Sequence, residues 1–319
     1  MENVGVAIKI RPITVCGVKY TQGTFIGHGA FGTVWKANGS DKTEAVFKHQ
    51  KVQEGNTKLK IMQEYEIHRD LTALDKSGQI IKMLGMSVNS KGITLVLELA
   101  EKTLHSVLSD LTPAETQKYF RALIFGVEFL HEQMIAHCDL SLKNLLILDE
   151  GTLKIADFGN AKRLASKEQE MMSADCRGNP QYCAPELFED GQMVKVLPLD
   201  TWSCGIVLLQ LAQRSDRSWT QATPHNREYQ RWSSGRTSNS DFWAGTDKCI
   251  MCKFYSLNSM RKAAYFHFTA LVKKILCHDP TKRATIAQIK HDQFFKVDVR
   301  AAIKRSGAAT RSSAKVSRY

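Results

Sequence analysis

The sequence predicts an α+β chain in which a smaller β-rich lobe precedes a larger helical one. Three observations carry this. A glycine-rich centre at 27–32 is flanked from Tyr20 to Trp35 by Thr, Phe, Ile and Val, the make-up of a hairpin. Short apolar runs of strand type follow at Ala45–Lys48 and Ile93–Leu99. From Thr112 onward apolar residues recur at helical spacing. The length of 319 residues suits two lobes or two domains at roughly 150 residues each.

The elements can be justified in order. Tyr20–Trp35 reads as strand, turn and strand. Lys58–Leu74 reads as the one helix of the first lobe, with Leu59, Met62, Ile67, Leu71 and Leu74 near helical spacing. Thr112-Pro113-Ala114-Glu115 combines a capping box with proline at the first helical position, and Tyr119, Phe120, Leu123, Ile124, Val127 and Leu130 supply the apolar face behind it. The lobe junction falls near Leu99–Thr103. Gln213–Lys262 is polar with scattered tryptophans and reads as loop with short helices. These signals divide the chain into an extension at 1–19, a folded core at 20–298 with lobes at about 20–99 and 103–298, and a tail at 299–319.

Composition excludes several classes. With 43% hydrophobic and 24% charged residues the chain is neither fibrous nor largely disordered. No apolar run approaches the ~18 residues of a membrane span, and the charges of Glu2, Lys9 and Arg11 speak against a secretory signal. Eight cysteines are too sparse for a disulfide scaffold, so an intracellular setting, cytoplasmic or nuclear, is expected. Of the net charge of +12, half comes from Arg300, Lys304, Arg305, Arg311, Lys315 and Arg318 in the acid-free tail. Such a tail reads as a solvated end, and no nucleic-acid motif accompanies it or the basic stretch around Trp219, Trp232 and Trp243. Cys249 and Cys252 form a single CxxC without a second pair at zinc spacing.

Gly27-His28-Gly29-Ala30-Phe31-Gly32-Thr33-Val34 is G-x-G-x-x-G-x-V. Glycines let backbone N–H groups approach phosphate oxygens without an intervening Cβ. Because a second strand follows rather than a helix, a hairpin lid fits better than a dinucleotide fold. Lys48 ends the next apolar strand, where a cation beneath the lid can meet phosphate. Val6-Ala7-Ile8-Lys9 is a rival for that strand, but it precedes the lid. Glu66, placed ahead of Glu64 on its spacing, is expected to hold Lys48 by an ion pair.

His137-Cys138-Asp139-Leu140-Ser141-Leu142-Lys143-Asn144, then Asp157-Phe158-Gly159, then Ala184-Pro185-Glu186 complete an ordered set with the lid, the lysine and the glutamate. From about Tyr20 to Phe295 the chain resembles the eukaryotic protein kinase family. The resemblance implies a bilobal protein-kinase-like fold and ATP- and Mg²⁺-dependent transfer of the γ-phosphate to protein Ser or Thr. It implies Asp139 as catalytic base and Lys143 as a cation near the γ-phosphate. Asn144 and Asp157 become metal ligands, and Ile26 through Gly32 a cover over the phosphates. Val34, Val46 and Leu146 fall where the family sandwiches adenine. Leu97 falls at the gatekeeper position, so Glu98 to Ala100 offer hinge hydrogen bonds. Asp200 supports the catalytic-loop backbone, and Arg283 pairs with Glu186.

The chain departs from the family pattern at three places. Cys138 replaces the Arg that normally pairs with an activation-loop phosphate, so phosphorylation, at Ser173 for example, is not expected to be obligatory. Ser141 replaces the Lys common in serine/threonine members. Asn179 replaces a Thr that commonly bonds the catalytic Asp, and is expected to bond Asp139 itself. Thr103, Lys143 and Gln210 stand where basic-directed members carry acids, so protein substrates without a strong Arg requirement are expected. A nucleotide-binding pseudokinase scaffold and a dual-specificity kinase remain the alternatives; a small-molecule kinase is disfavoured by Ala184-Pro185-Glu186 with Arg283.

Overall fold

The computed structural model describes residues 9–29, 32–52, 57–166, 171–173, 178–189, 191–216, 218–233 and 259–296, with the side chains of 259–266 excepted. Contacts divide the chain into two units, residues 1–101 with 146–161 and residues 102–145 with 162–319. Among the described residues no helix is long and apolar enough to cross a membrane.

The first unit is built on alternation. β1 (Ile13–Val15), β2 (Val18–Gly29), β3 (Gly32–Gly39), β4 (Glu44–Gln50), β5 (Met83–Asn89) and β6 (Gly92–Glu98) form a six-stranded antiparallel sheet in the order β1-β2-β3-β4-β6-β5. Successive side chains on a strand point to opposite faces. One face carries Trp35, Ala37, Ala45, Phe47 and Val96, which bury one another together with Ile10, Ile13 and Tyr20. Residues before Tyr20 thus contribute strand and core to this unit. The register sets Val34 opposite Lys48, Lys48 opposite Leu95 and Val46 opposite Leu97, so these share the other face. There Ile93, Leu95 and Met83 pack with Ile61 of the helix α1 (Thr57–Leu74).

Helix α1 keeps part of the face its spacing suggests, burying Ile67 and Leu71 and packing Met62 against the core. Its buried residues are Ile61, Glu64, Ile67, His68 and Leu71, whereas Leu59 and Leu74 are more than half exposed. The buried stripe runs 61-64-67/68-71, the spacing of a single helix face, and a glutamate lies within it.

Residues 146–161 belong to the sheet-bearing unit. Ile155 bridges Ile80, Ile155 N–H donates to Gln79 O at 2.8 Å, and Lys154 bonds Glu98. This places Leu146 and Asp157 with the strands.

The second unit is helical. Among the described residues its helices are α2 (Pro113–Glu132), α3 (Leu197–Gln213), α4 (Arg227–Ser233), α5 (Ser259–Ile275) and α6 (Ile286–Lys290). Thr112 caps α2 through the reciprocal box with Glu115, as the sequence predicts. Helix α3 is apolar nearly all round and buried along nearly its whole length, the signature of a central helix. Trp219 is buried against Trp202 and Tyr229, with ring centroids 6.1 and 5.3 Å away, and Trp232 Nε1 donates to Leu276 O. Two of the three tryptophans of the basic stretch therefore serve the core. Trp243, Cys249, Cys252 and the tail at 299–319 lie outside the described residues.

Candidate active site

In the first unit the lid is a β2–β3 hairpin in which Gly29 faces Gly32 across the turn. Ala30 and Phe31 lie outside the described residues. Gly32 is a steric requirement: its φ is +154°, and a Cβ there would come within 2.2 Å of His49 O. Gly27 differs, because a Cβ there would meet nothing within 4 Å, and beside Gly29 the nearest atom would be 3.8 Å away. Ile26 and His28 are exposed on the hairpin.

Lys48 is buried, and its Nζ donates to Glu64 Oε1 at 2.6 Å and to Asp157 Oδ1 at 2.7 Å. Burial pulls the pKa of Lys48 down, but the two carboxylates outweigh it and hold the ammonium above the usual lysine range. The expectation that Glu66 pairs with Lys48 is corrected. Positions 64 and 66 lie about 200° apart around a helix at 3.6 residues per turn, so only one can face the sheet. Glu64 belongs to the buried stripe, and Glu66 is exposed. The signal was present in sequence: Glu64 stands three residues before Ile67, on its face.

Gln50 adds a contact that the sequence reading missed, its Nε2 donating to Glu64 Oε2 at 3.0 Å. Asp157 carries a left-handed backbone, φ 66°, and Phe158 is buried with its ring 4.7 Å from that of His68. Val34, Val46 and Leu97 lie half-buried on the face that Lys48 shares, and Leu146 is half-buried in the strand Leu145–Ile147. Of the residues from Glu98 to Ala100, Glu98 is the most firmly placed. Its amide donates to Lys82 O at 3.0 Å, and its carboxylate accepts both from Lys82 N–H and, at 2.9 and 2.8 Å, from the buried Lys154. Lys154 is a second residue that sequence reasoning passed over. Ala100 is half-buried.

In the second unit the loop around Asp139 hangs on one carboxylate. Asp200 is fully buried and accepts from His137 N–H and Cys138 N–H, each at 2.8 Å, and from His131 Nε2 at 2.9 Å. Burial alone would raise its pKa, but the His131 bond and the neighbouring histidines hold it below the ordinary carboxylate value. The anchored turn includes Cys138 at φ 61°, a conformation that costs free energy and persists only where its surroundings impose it.

Asp139 follows directly and is half-buried. Asn144 Nδ2 donates to Asp139 O at 2.8 Å, which leaves the amide oxygen of Asn144 as its ligating end. Lys143 is exposed. Asn179 approaches Asp139 with its backbone: its N–H reaches Asp139 Oδ1 at 3.4 Å, while its side chain caps Gln181 N–H. The expected side-chain bond is thus replaced by a peptide one. Gly178 makes the approach possible, since a Cβ there would lie 2.9 Å from Cys138 O and 3.0 Å from Asp139 Oδ1. A small open niche adjoins, lined by Asp139, Asn179, Tyr182, Cys183 and Leu187 among others.

Arg283 and Glu186 form the expected pair as a bidentate fork at 2.6 and 2.8 Å, both residues buried, with the guanidinium 5.0 Å from the Trp202 ring. Gln210 does not reach a substrate-facing surface. It is fully buried and bonds Tyr182 Oη and Asp216 O. Among the described residues no cluster of three or more His, Cys, Asp or Glu gathers for a metal.

Comparison with known proteins agrees with this geometry. Residues 20–295 match the family model for the protein kinase domain. The serine/threonine-protein kinase chk-1 of Caenorhabditis elegans is 28% identical over 280 residues, covering 85% of this chain and 51% of that protein. The probable serine/threonine-protein kinase CCRP1 of Zea mays is 27% identical, over 87% of this chain and 41% of its own. CBL-interacting protein kinase 8 of Oryza sativa subsp. japonica is 28% identical, over 87% of this chain and 57% of its own. The chain thus spans about half the length of the curated relatives it matches. With its motifs in order and the family model covering most of its length, the chain belongs to the protein kinase family.

Proposed function

We propose that the chain transfers the γ-phosphate of ATP to serine or threonine hydroxyls of protein substrates. The observation that carries this is Lys48, a buried ammonium shared by a helix glutamate and by the aspartate of Asp157-Phe158-Gly159. A buried cation held charged between two carboxylates is ready to exchange one of them for phosphate oxygen. Relatives named as serine/threonine kinases support the acceptor class.

Each unit carries groups of the kind that a nucleotide and its metal require. The space beside Gly27 and Gly29 is open where a larger residue would fill it. Asp157 and Asn144 offer hard oxygen donors, and Mg²⁺ commonly takes one or two protein carboxylates and completes its shell with phosphates and water. When bound, Mg²⁺ would neutralise phosphate charge. Lys48 holds the α/β-phosphates, and Glu64 holds Lys48. The backbone from Ile26 to Gly32 covers the phosphates. Val34, Val46 and Leu146 contact the adenine, and Glu98 O and Ala100 N–H bond its edge. Asp139 accepts the hydroxyl proton and orients the acceptor, and Lys143 supplies a cation near the transferred group.

Two features favour a kinase that does not depend on activation-loop phosphate. Cys138 cannot pair with a phosphate as Arg does. The segment is instead tied by strand pairing, Met171–Ser173 against Met193–Lys195, with Met172 and Val194 buried. Thr103 and Lys143 offer no acid to an Arg-rich substrate, so a neutral or acid-flanked target is favoured.

The test is transfer from γ-labelled ATP with Mg²⁺ to generic proteins, followed by phosphoamino-acid analysis. Phosphoserine or phosphothreonine is expected, with a loss of about 10²–10⁴-fold in Asp139→Asn at unchanged melting temperature. Phosphotyrosine as well would make the enzyme dual-specificity. ATP-dependent thermal stabilisation without transfer would overturn the reading in favour of a nucleotide-binding scaffold, which the substitutions at Cys138, Ser141 and Asn179 permit.

A further inference from the structure

Gln50 lies two residues after Lys48 on β4, so both side chains leave the same face of the sheet. Both reach Glu64: Lys48 Nζ meets Oε1 at 2.6 Å, and Gln50 Nε2 meets Oε2 at 3.0 Å. Each carboxylate oxygen thus receives its own donor from one strand. Gln50, Glu64 and Lys48 are 5%, 4% and 8% exposed, so water offers no ready substitute. The strands on either side are shaped to Gln50. A Cβ on Gly92 of β6 would come within 2.3 Å of Gln50 O, and one on Gly32 of β3 would come within 3.1 Å of Gln50 Cγ. Gly32 is the last glycine of the lid, so the residue that grips α1 also packs beneath the hairpin.

We propose that Gln50 is a positioning residue, fixing Glu64 and with it α1 so that Lys48 is presented to phosphate in a pre-set orientation. The proposal rests on the phosphotransfer reading for its consequence, though not for its geometry. A carboxylate held by Lys48 alone can swing about that one contact. Held at both oxygens, it fixes the helix phase as well as the distance. A hydrogen bond to a charged group in a buried site is among the stronger ones, so its loss is felt at Lys48.

The experiment compares the full chain with Gln50→Met, nearly isosteric but without the donor, and with Gln50→Glu. Hydrogen exchange of α1 amides is read beside phosphotransfer from ATP as a function of pH. In Gln50→Met, faster exchange in Thr57–Leu74 is expected, with β4 and β6 unchanged and turnover lowered on the order of 10-fold, the range set by a bond to a charged partner. In Gln50→Glu a protonated carboxyl still donates to Glu64, whereas an ionised one repels it. Turnover is therefore expected to fall as pH rises through their shared proton, a limb absent from the wild type. A residue that merely fills space would give a Met variant like the wild type and no such limb, which would overturn the proposal. If the Glu variant does not fold, exchange in the Met variant decides alone. If the wild type transfers no phosphate while α1 loosens in Gln50→Met, the phosphotransfer reading fails and the positioning of Glu64 stands.

Discussion

In the sheet-bearing unit the atom that matters is fixed by charged side chains, whereas in the helical unit it is fixed by peptide groups. Lys48 is held by Glu64 and Asp157, which come from separate elements. The loop of Asp139 is held by two backbone N–H groups on Asp200, by an amide on Asp139 O and by the N–H of Asn179. Side-chain pairs give a centre that can be retuned by single substitutions. Peptide bonds to a buried carboxylate give one that fails as a unit. The same comparison separates the glycines, since Gly178 is required so that a peptide can reach Asp139, while Gly27 leaves space open.

The largest effect should come from the peptide-held centre. Asp200→Ala leaves two N–H groups and His131 facing a buried void, and removing one partner of a buried, hydrogen-bonded charge costs about 3–5 kcal/mol. We expect a loss of that size in chemical denaturation, with the helical unit affected. A loss below about 1 kcal/mol would show that the loop does not depend on this carboxylate.

A smaller, pH-dependent effect is expected at the charge-held centre. Lys48→Met leaves Glu64 and Asp157 facing one another without their cation, and like charges in one site raise a carboxylate pKa. A carboxylate whose folded pKa exceeds its unfolded value of roughly 4 destabilises the fold as pH rises through that window. Stability of the Met variant relative to wild type should therefore decline from about pH 4 upward. A difference independent of pH would mean that the carboxylates move apart.

The two units should also part company in acid. His49 is buried beside Trp35 and bonds Thr94 Oγ1, and burial pushes its pKa below the usual histidine value. It folds neutral, so the stability it lends is complete above its unfolded pKa of ~6.5 and is lost as pH falls below that value. Asp200, with its pKa lowered, lends stability that persists until pH falls toward ~3.8. Hydrogen exchange followed from pH 7 to pH 4 should show β3, β4 and β6 loosening before α3. The reverse order would remove His49 as the cause.

What could be read in the sequence follows the same division. The Asp139 loop, Asp200 and the Arg283–Glu186 pair were legible because their motifs resemble those of the protein kinase family, although the partners lie 62 to 97 residues apart in sequence. The hairpin lid was legible because a strand followed the glycines. The partner of Lys48 was misread because sequence spacing was weighed above helix phase, which sets Glu64 on the face of Ile67. Ile67 and Leu71 lie inside as their spacing suggests, whereas Leu59 and Leu74 turn outward and Ile61 joins the buried stripe. Gln50 and Lys154 were missed because polar residues on strands read as solvent-facing until the register is known. The place of residues 146–161 was hidden because no motif marks the Ile80–Ile155 bridge that ties this segment to the first unit.

The smallest effect is the sharpest test of that phase. Glu66→Ala alters an exposed residue on the side of α1 turned away from the sheet, whereas Glu64→Ala removes the carboxylate that Lys48 and Gln50 share. Alanine is a better helix former than glutamate by only a few tenths of a kcal/mol, so Glu66→Ala should leave phosphotransfer unchanged and move stability by less than about 0.5 kcal/mol. Glu64→Ala should lower turnover on the order of 10-fold or more, because Lys48 then has Asp157 to bind instead of being poised for phosphate. If the two variants exchanged behaviours, α1 would be rotated by half a turn from the arrangement described, and Glu66 would be the glutamate that serves Lys48.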